Sequence, residues 1–304
     1  MSKLRKYSDM ITGHDLSKYY GQIPALDRIS FEFDRSEIFG VIGHNGAGKT
    51  TLLKILSGLI TPTSGELSIN GIDVVKDPVG LKEMLGYLPE ESRLYETMKV
   101  DAYLSFFGEI YGMERNLIRE RCRDLLASLD LEPDGKKIGE LSKGMRRKVA
   151  IARSLIHDPS FLVYDEPTSG LDPMTSRYII DYLRELKARE KTIVLSAHNL
   201  YQVEAICDRV MILRRGKVIA IGSMQELREM FGSVSYSVYF TIRDISRLEG
   251  IRDYMVEAGF YHVRCGTIEE MNDITRTITS AGGMVERIES HYPSLEEMLV
   301  KIGR

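Results

Sequence analysis

Short apolar runs alternate with longer, more polar stretches along much of this chain. Runs at residues 38–42, 161–164, 192–196 and 209–213 each have the length of a buried strand, and helical patterns occur between them. Strands that alternate with helices in this way predict a parallel sheet with helices on its faces. We therefore expect an α/β fold.

Two other segments have patterns of their own. Residues 10–73 are mostly strand-like, and turn residues divide them at Tyr20–Gly21, Asp34–Ser36 and Asn70–Gly71. Residues 78–156 are mostly helical, with four-residue steps between Leu117, Arg121, Leu125 and Leu129. These patterns predict a β-rich segment followed by a mostly helical one.

The tail has a different pattern. Apolar residues alternate with polar ones from 235 to 242, which predicts a strand with one apolar face. After it we predict a helix with Leu248, Ile251 and Met255 that ends at Gly259, a strand at 261–265, a helix ending at Gly282–Gly283, a strand at 285–288 and a last helix. A capping box, Ser294 with Glu297, opens the last helix. We expect two domains, 1–223 and a small α/β domain at 224–304, with a boundary near 224–233.

Composition excludes several classes of function. The net charge of −3 supplies no overall basic field for nucleic acid. The three cysteines are an odd number without C-x-x-C spacing, which argues against a disulfide framework and fits a reducing cytosol. No apolar stretch has membrane-spanning length, and Met1–Arg5 lacks an apolar signal core. We expect a soluble cytoplasmic protein.

Residues Gly43–Thr50 form a complete G-x-x-x-x-G-K-[ST] phosphate loop. Glycines let successive backbone N–H groups approach phosphate oxygens, Lys49 reaches the β/γ-phosphates and Thr50 offers a hydroxyl to Mg²⁺. The apolar run 38–42 precedes the loop and a helical stretch follows from Thr51. Phosphates would therefore lie at a helix N-terminus, where unpaired N–H groups favour an anion.

Two carboxylates end the apolar run at 161–164. Side chains alternate along a strand, so the adjacent Asp165 and Glu166 cannot point the same way. Asp165 is placed to hold Mg²⁺ through water, and Glu166 to face a water molecule beside the γ-phosphate. The alternative is a pair of solvated acids before the Pro167 turn, which the phosphate loop in the same domain makes the weaker interpretation.

From about Met10 to Ile221 the chain resembles the nucleotide-binding subunits of ABC transporters. The family elements occur in order: Tyr20 as the adenine-stacking aromatic, Gly43–Thr50 as Walker A, Leu141–Met145 as the LSGGQ signature, Phe161–Glu166 as Walker B, Ser169–Asp172 as the D-loop and His198 as the switch histidine. Many NTPases share a phosphate loop, whereas this ordered set is specific. The resemblance implies a P-loop NTPase of the ABC ATPase type, with a mixed sheet core, an antiparallel β subdomain and a helical subdomain at about residues 90–157.

The resemblance also implies roles for individual residues. ATP would be bound by Tyr20, Gly43, Asn45, Gly46, Ala47, Gly48, Lys49, Thr50, Thr51 and Asp172, and from the opposing subunit by Ser142 and Gly144. Thr50, Asp165 and Glu90 would serve Mg²⁺. Glu166 would orient or deprotonate the attacking water, while His198 would contact the γ-phosphate and Lys49 would assist catalysis. Because the chain has one Walker A loop and one signature, the resemblance implies a dimer with shared ATP sites.

Several of these residues have a simpler interpretation. Asp172 precedes Pro173, so helix capping alone explains it, and Ser142 is equally placed to cap the next helix. Tyr20 is either the stacking aromatic or a core residue, and Tyr19 is a second candidate for stacking. His198 taken alone reads as a structural histidine.

Three positions depart from the family pattern. Glu90 stands where the family has a glutamine that couples the nucleotide site to the membrane subunit, and it adds negative charge near the triphosphate. In the signature, Lys143 replaces a glycine and Met145 replaces a glutamine. Lys143 either directs positive charge toward the opposing γ-phosphate or points to solvent.

These features predict the ATPase subunit of an ABC transporter. It would bind MgATP, pair with a second copy or a related ATPase, and drive a transmembrane permease subunit from the inner face of the cell membrane. The departures at Glu90 and Lys143, with the Pro293–Glu296 motif near the end of the tail, resemble the exporter-type prokaryotic branch. One alternative is a soluble ABC ATPase that acts on the ribosome or nucleic acid, and another is a non-hydrolysing ATP-dependent clamp.

Overall fold

The computed structural model describes residues 10–132, 135–231, 234–248, 251, 253–257 and 259–303. The chain divides into two compact units, Met1–Met224 and Gln225–Arg304. The N-terminal segment Met1–Arg5, which we analysed for a signal core, lies outside the described residues, as do positions 232 and 233 at the expected domain boundary. No helix in the described ranges combines the length and the apolar character needed to span a membrane.

The first unit contains ten strands and seven α-helices among its described residues. The strands are β1 (Met10–Tyr20), β2 (Ile23–Asp34), β3 (Ile38–Ile42), β4 (Ser64–Ile69), β5 (Ile72–Asp73), β6 (Leu85–Leu88), β7 (Phe161–Asp165), β8 (Thr192–Ser196), β9 (Arg209–Arg214) and β10 (Lys217–Gly222). The helices are α1 (Lys49–Leu56), α2 (Pro78–Met84), α3 (Val100–Ile110), α4 (Arg115–Ser128), α5 (Lys143–Leu155), α6 (Pro173–Ala188) and α7 (Leu200–Ile206).

A six-stranded mixed sheet with the order β10-β9-β3-β8-β7-β6 carries the phosphate loop. Neighbouring strands from β9 to β6 are parallel, and β10 returns antiparallel to β9. Every residue of β3, β7 and β8 is buried, as expected for strands covered on both faces. The predicted α/β fold is confirmed, and the carboxyl ends of the parallel strands meet at one edge of the sheet.

A second, antiparallel sheet has the order β2-β1-β4-β5. Ile11 in β1 pairs with Phe33 on one side and with Ile69 on the other. These side chains belong to a buried cluster that also contains Leu53 of α1 and Val41 of β3. The helix after the phosphate loop is therefore held in the core that the two sheets share.

The segment 78–156, predicted to be mostly helical, contains α2, α3, α4 and α5, but it also contains a strand that the sequence pattern missed. Leu85–Leu88 forms β6 and pairs in parallel with β7. The buried face of α4 also differs from the four-residue steps predicted from Leu117. Leu117 itself is 46% exposed, whereas Ile118, Cys122 and Leu125 are buried. Four residues of a helix turn through 40° more than one full circle, so a strict four-residue step drifts off the buried face.

The second unit is built around a sheet with the order β12-β13-β11-β14. Its described elements are α8 (Met224–Phe231), β11 (Ser235–Thr241), β12 (Met255–Glu257), β13 (Phe260–Cys265), α9 (Ile268–Ser280), β14 (Met284–His291) and α10 (Leu295–Gly303). Val238, Phe240, Val263 and Ile278 form its buried centre. The alternation seen at 235–242 thus places Val238 and Phe240 in the core, as predicted.

One element of this unit was predicted incorrectly. Residues Ile245–Arg247 form a single 3₁₀ turn and Met255–Glu257 is a strand, so the helix expected from Leu248 to Gly259 is wrong where the chain is described. Positions 249, 250, 252 and 258 of that helix lie outside the described residues. Pairing of Met255 with His262 across the sheet edge overrides the local apolar spacing. The capping box is confirmed, since the Ser294 N–H donates to Glu297 Oε2 at 2.8 Å and the Glu297 N–H to Ser294 Oγ at 3.3 Å.

Candidate nucleotide site

The phosphate loop joins β3 to α1 and depends on glycines at its two ends. Gly43 has φ 155° and Gly48 has φ 109°. A β-carbon at Gly43 would collide with the Leu213 carbonyl, and one at Gly48 would lie 2.5 Å from the Ala25 oxygen. At both positions only glycine fits the backbone conformation and the available space.

The exposed side of the loop is open. A β-carbon at Gly46 would meet nothing within 4 Å, and both Asn45 and Thr50 are exposed. Gly48 is the N-cap of α1 and supplies no side-chain acceptor, and the first helical turn contains no acidic residue. The N–H groups at the start of α1 therefore face an open cradle without a capping side chain, which suits the phosphates of a nucleotide.

Lys49 lies inside the loop with 7% of its surface exposed. Its Nζ donates to the Gly43 carbonyl at 2.7 Å and to the His44 carbonyl at 3.4 Å. Burial lowers the pKa of Lys49, while the negative charges of Glu166, Asp165 and Glu90 oppose that shift. The Lys49 ammonium is already partly removed from water, so it can bind phosphate oxygens with little further desolvation cost.

Residues far from the loop in the sequence support it through hydrogen bonds and packing. The Gly216 N–H donates to the Ala47 carbonyl at 2.9 Å, and the Asp27 N–H donates to the Gly216 carbonyl at 2.8 Å. Ala25 packs against both Gly48 and Gly216. This support was not predicted from the sequence, where its one local signal is the Arg215–Gly216 turn between two apolar runs.

Asp165 and Glu166 lie at the carboxyl end of β7, and both are buried. The Ser196 hydroxyl, at the end of the neighbouring β8, donates to Asp165 Oδ1. The Glu166 N–H lies 3.2 Å from the Ser196 carbonyl and 3.1 Å from Ser196 Oγ. Ser196 thus orients both acids, a role that was not predicted from the sequence.

The backbone of Glu166 is left-handed, with φ 48°. Few residues other than glycine adopt this conformation, and such strain persists where the surrounding structure fixes it. The turn separates the directions of the two acids, and Glu166 Oε1 lies 2.7 Å from His198 Nε2. Burial raises the pKa of Glu166, the charge of His198 lowers it, and Glu90 and Asp165 raise it further.

The donor set fits a magnesium ion that substrate phosphates help to bind. The described residues contain no cluster of three or more His, Cys, Asp or Glu side chains suited to a metal. Mg²⁺ commonly takes one or two protein oxygens and completes its shell with water and phosphate. Thr50 can supply a hydroxyl and Asp165 a carboxylate. Glu90 adds negative charge to the same site, where its charge acts to raise the pKa of Lys49 and the pKa of Glu166.

Both candidates for adenine stacking are exposed at the end of β1. Tyr20 is 52% exposed, which contradicts its interpretation as a core residue, and Tyr19 is 40% exposed. The Lys18 ammonium lies 5.6 Å from the centre of the Tyr20 ring, and the Tyr19 N–H donates to Thr63 Oγ1 at 3.0 Å. Either ring is accessible to a base.

Ser142 and Asp172 both cap helices. The Ser142 side chain accepts the Met145 N–H at 3.2 Å at the start of α5, and Asp172 accepts the Thr175 N–H at 2.9 Å at the start of α6. Gly144 lies against Thr175, whose Cγ2 would be 3.1 Å from a β-carbon at position 144. The capping interpretation is confirmed for both residues, and it leaves a role toward a nucleotide open.

Lys143 has a neighbour that the sequence did not suggest. Its Nζ lies against Gly170 of the D-loop, where any β-carbon would overlap it, and Gly170 has φ 64°. Both residues are close to a cavity of about 520 Å³ that is lined by Glu90, Lys143 and Ser169, among others. The side chain therefore follows the D-loop of its own subunit.

Comparisons with known proteins agree with this geometry. The family profile described as ABC transporter matches residues 26–169, and the one described as ATP-binding protein DrrA1-3-like, C-terminal domain, matches residues 222–302. Over 226 residues the chain is 38% identical to the ABC transporter ATP-binding protein NatA of Bacillus subtilis, covering 72% of this chain and 92% of that protein. Over 296 residues it is 33% identical to the Nod factor export ATP-binding protein I of Rhizobium sp. strain N33, covering 94% of each.

Among solved structures, a dimeric bacterial ABC transporter cassette matches with a TM-score of 0.65 at 26% identity, covering 70% of this chain and 98% of that one. The ordered motifs, the P-loop fold and the relatives therefore lead to one assignment. This chain belongs to the ABC transporter ATP-binding proteins and is an ATP-hydrolysing subunit of that family.

Proposed function

We propose that this subunit hydrolyses MgATP at the loop Gly43–Thr50 to drive a separate membrane permease. The observation that supports this most directly is the convergence of Lys49, Asp165, Glu166 and His198 at one edge of the sheet. The charges of Asp165 and Glu166 act on Lys49, and His198 contacts Glu166. Phosphoryl transfer depends chiefly on positioning and on neutralising charge, and these residues supply both.

Glu166 has the properties of a general base for the attacking water. Its carboxylate is buried beside the loop, and its raised pKa makes it a stronger base than an exposed glutamate. His198 holds Oε1, which leaves Oε2 to accept a proton. Lys49 neutralises charge on the β/γ-phosphates, and the loop N–H groups bind their oxygens. Mg²⁺, when bound, would neutralise further phosphate charge, held by the Thr50 hydroxyl and, through water, by Asp165.

A second subunit would complete each site. In this proposal Ser142 and Gly144 reach the ATP held by the opposing Lys49, with a second copy or a related ATPase as the partner. The presence of one phosphate loop and one signature in the chain supports this arrangement, as does the similarity to a dimeric cassette. Closure of the dimer around ATP would be the output delivered to the permease through the loop at Glu90.

We further propose export as the direction of transport, at the inner face of the cell membrane. Several relatives carry export-related names: linearmycin resistance, multidrug transport and Nod factor export. Residues 1–223 would be the ATPase domain, with its helical subdomain at about 90–157, and 224–304 an accessory domain. The acidic net charge and the transporter names favour transport over a ribosomal or nucleic-acid target.

Glu166→Gln tests the proposal. We expect ATP binding to remain, turnover to fall at least ~100-fold, since a positioned general base contributes that much, and an ATP-bound dimer to accumulate. Steady-state ATPase assays, nucleotide binding and size-exclusion chromatography with light scattering measure these three effects. Glu37→Gln is the matched control, because Glu37 is also buried with a raised pKa but pairs with Arg209 away from the loop.

Two results would count against the proposal. Turnover by Glu166→Gln at the wild-type rate would remove Glu166 from catalysis, and a monomer in saturating MgATP would contradict the shared site. Co-purification from detergent-solubilised membranes tests the permease, and recovery of the subunit without any integral membrane protein would contradict that partner.

A further inference from the structure

A buried guanidinium lies behind the catalytic acids. Arg147 on α5 is 7% exposed, and it forms no salt bridge with a carboxylate among the described residues. Burial lowers its pKa to about 10, so it remains a cation at neutral pH. Burying a charge is costly unless hydrogen bonds satisfy it, and the partners of Arg147 are five main-chain carbonyls of the site together with the Ser92 hydroxyl, 3.5 Å from Nη1.

Three of these carbonyls belong to the turn that carries Glu166. Arg147 Nη2 donates to the Glu166 carbonyl at 2.6 Å and to the Asp165 carbonyl at 3.1 Å, while Nε donates to the Pro167 carbonyl at 2.8 Å. The strained, left-handed residue therefore has its own carbonyl and both neighbouring carbonyls fixed by one side chain. The direction of the Glu166 carboxylate depends on this backbone conformation.

The same guanidinium also binds the loop after β6. Arg147 Nη1 donates to the Pro89 carbonyl at 2.7 Å and to the Glu90 carbonyl at 2.9 Å. The guanidinium group is planar and its five donors have fixed directions. A displacement of the loop at Glu90 must therefore change the geometry of the hydrogen bonds at Glu166.

We propose that Arg147 is a positioning residue for ATP hydrolysis, which holds the Glu166 carboxylate in its active direction and couples it to the loop at Glu90. This inference rests on the proposed role of Glu166. Arg147 acts through main-chain groups and does not touch the nucleotide. Lysine cannot replace it fully, because an ammonium has three donors for five carbonyls.

Arg147→Lys keeps the charge and tests the positioning. We expect kcat to fall about tenfold while ATP affinity stays within about twofold of wild type, since misplacing a catalytic group by a fraction of an ångström slows the chemical step. Arg147→Met removes all five donors, and we expect a fall of about 100-fold. Thermal unfolding shows whether each variant has folded. If Arg147→Met does not fold, the test rests on Arg147→Lys.

Arg153→Lys is the matched control. Arg153 lies on the same helix and donates to the Tyr103 hydroxyl at 3.1 Å, without contact to the turn at Glu166. We expect it to keep wild-type kcat. Wild-type kcat in Arg147→Lys, or a loss of ATP affinity that accounts for its lower rate, would overturn the inference.

A double variant separates this inference from the proposed function. In the Glu166→Gln background, Arg147→Lys should still form the ATP-bound dimer, because its effect passes through a carboxylate that is already removed. Loss of that dimer would show that Arg147 acts through the signature loop and would overturn the inference. Hydrolysis by Glu166→Gln itself would refute the proposed function, whereas an inactive Glu166→Gln with a fully active Arg147→Lys refutes the positioning role alone.

Discussion

Replacing Gly48 with alanine tests the steric argument for the phosphate loop. At this position φ is 109°, and an added β-carbon would lie 2.5 Å from the Ala25 carbonyl oxygen and 2.8 Å from Leu26 Cδ2. Ala25 and Leu26 belong to β2, whose backbone is fixed by pairing with β1. Gly46→Ala is the matched control, because Gly46 also has a positive φ, 78°, and its β-carbon would meet nothing within 4 Å.

Both substitutions place an alanine in a left-handed backbone conformation, but only Gly48→Ala also makes the new β-carbon collide with β2. An alanine with positive φ costs about 1–2 kcal/mol. Overpacking against a strand that cannot move adds about 1–3 kcal/mol. We expect Gly48→Ala to lower the free energy of unfolding by about 4 kcal/mol and Gly46→Ala by about 1 kcal/mol. For a unit of this size, the corresponding decreases in melting temperature are about 12 °C and about 3 °C.

Thermal and urea unfolding of both variants without nucleotide measure this difference. Gly48→Ala should also weaken ATP binding, because it displaces the start of α1. Equal destabilisation of the two variants would refute the steric reasoning, since it would mean that the loop can move away from β2.

Three further predictions concern charges in the site. Lys49→Ala should weaken ATP binding roughly 100-fold by removing charge-assisted hydrogen bonds, and unchanged affinity in a nucleotide-binding assay would show that the loop is misassigned. Glu90→Gln should retain hydrolysis and tighten ATP binding by about threefold, the effect of one exposed charge; an inactive ATPase would contradict this. His198→Ala should move the acid limb of the kcat–pH profile to higher pH: kcat is lost as pH falls through the pKa of Glu166, and His198 lowers that pKa. An unshifted limb would contradict the coupling.

The sequence predicted the parts of the site that depend on local chemistry. A glycine-rich loop between a buried strand and a helix has one common geometry, so the placement of Gly43–Thr50 between β3 and α1 followed directly, although α1 begins at Lys49, two residues before the predicted Thr51. The capping roles of Ser142 and Asp172 were also predictable, because a cap contacts residues three positions away.

Contacts between distant segments were not predictable in this way. Nothing in the local pattern around Ser196, Gly216 or Arg147 indicates that these residues support the loop or the acids. The pairing of Met255 with a neighbouring strand likewise overrode a helical spacing. Lys143 is exposed, and the contact of its ammonium with Gly170 of the same subunit was likewise not predicted.

The support of the phosphate loop by Gly216 determines when the site can form during synthesis. The loop leaves the ribosome early, but β3 lies between β8 and β9, and Ala47 needs the turn after β9. A nascent chain that ends before residue 209 therefore lacks both the flanking strand β9 and the Gly216 hydrogen bond to Ala47. ATP cannot stabilise an early folding intermediate of this protein, because a ligand stabilises only species that bind it. Nucleotide binding is a late event, available to a nearly finished first unit.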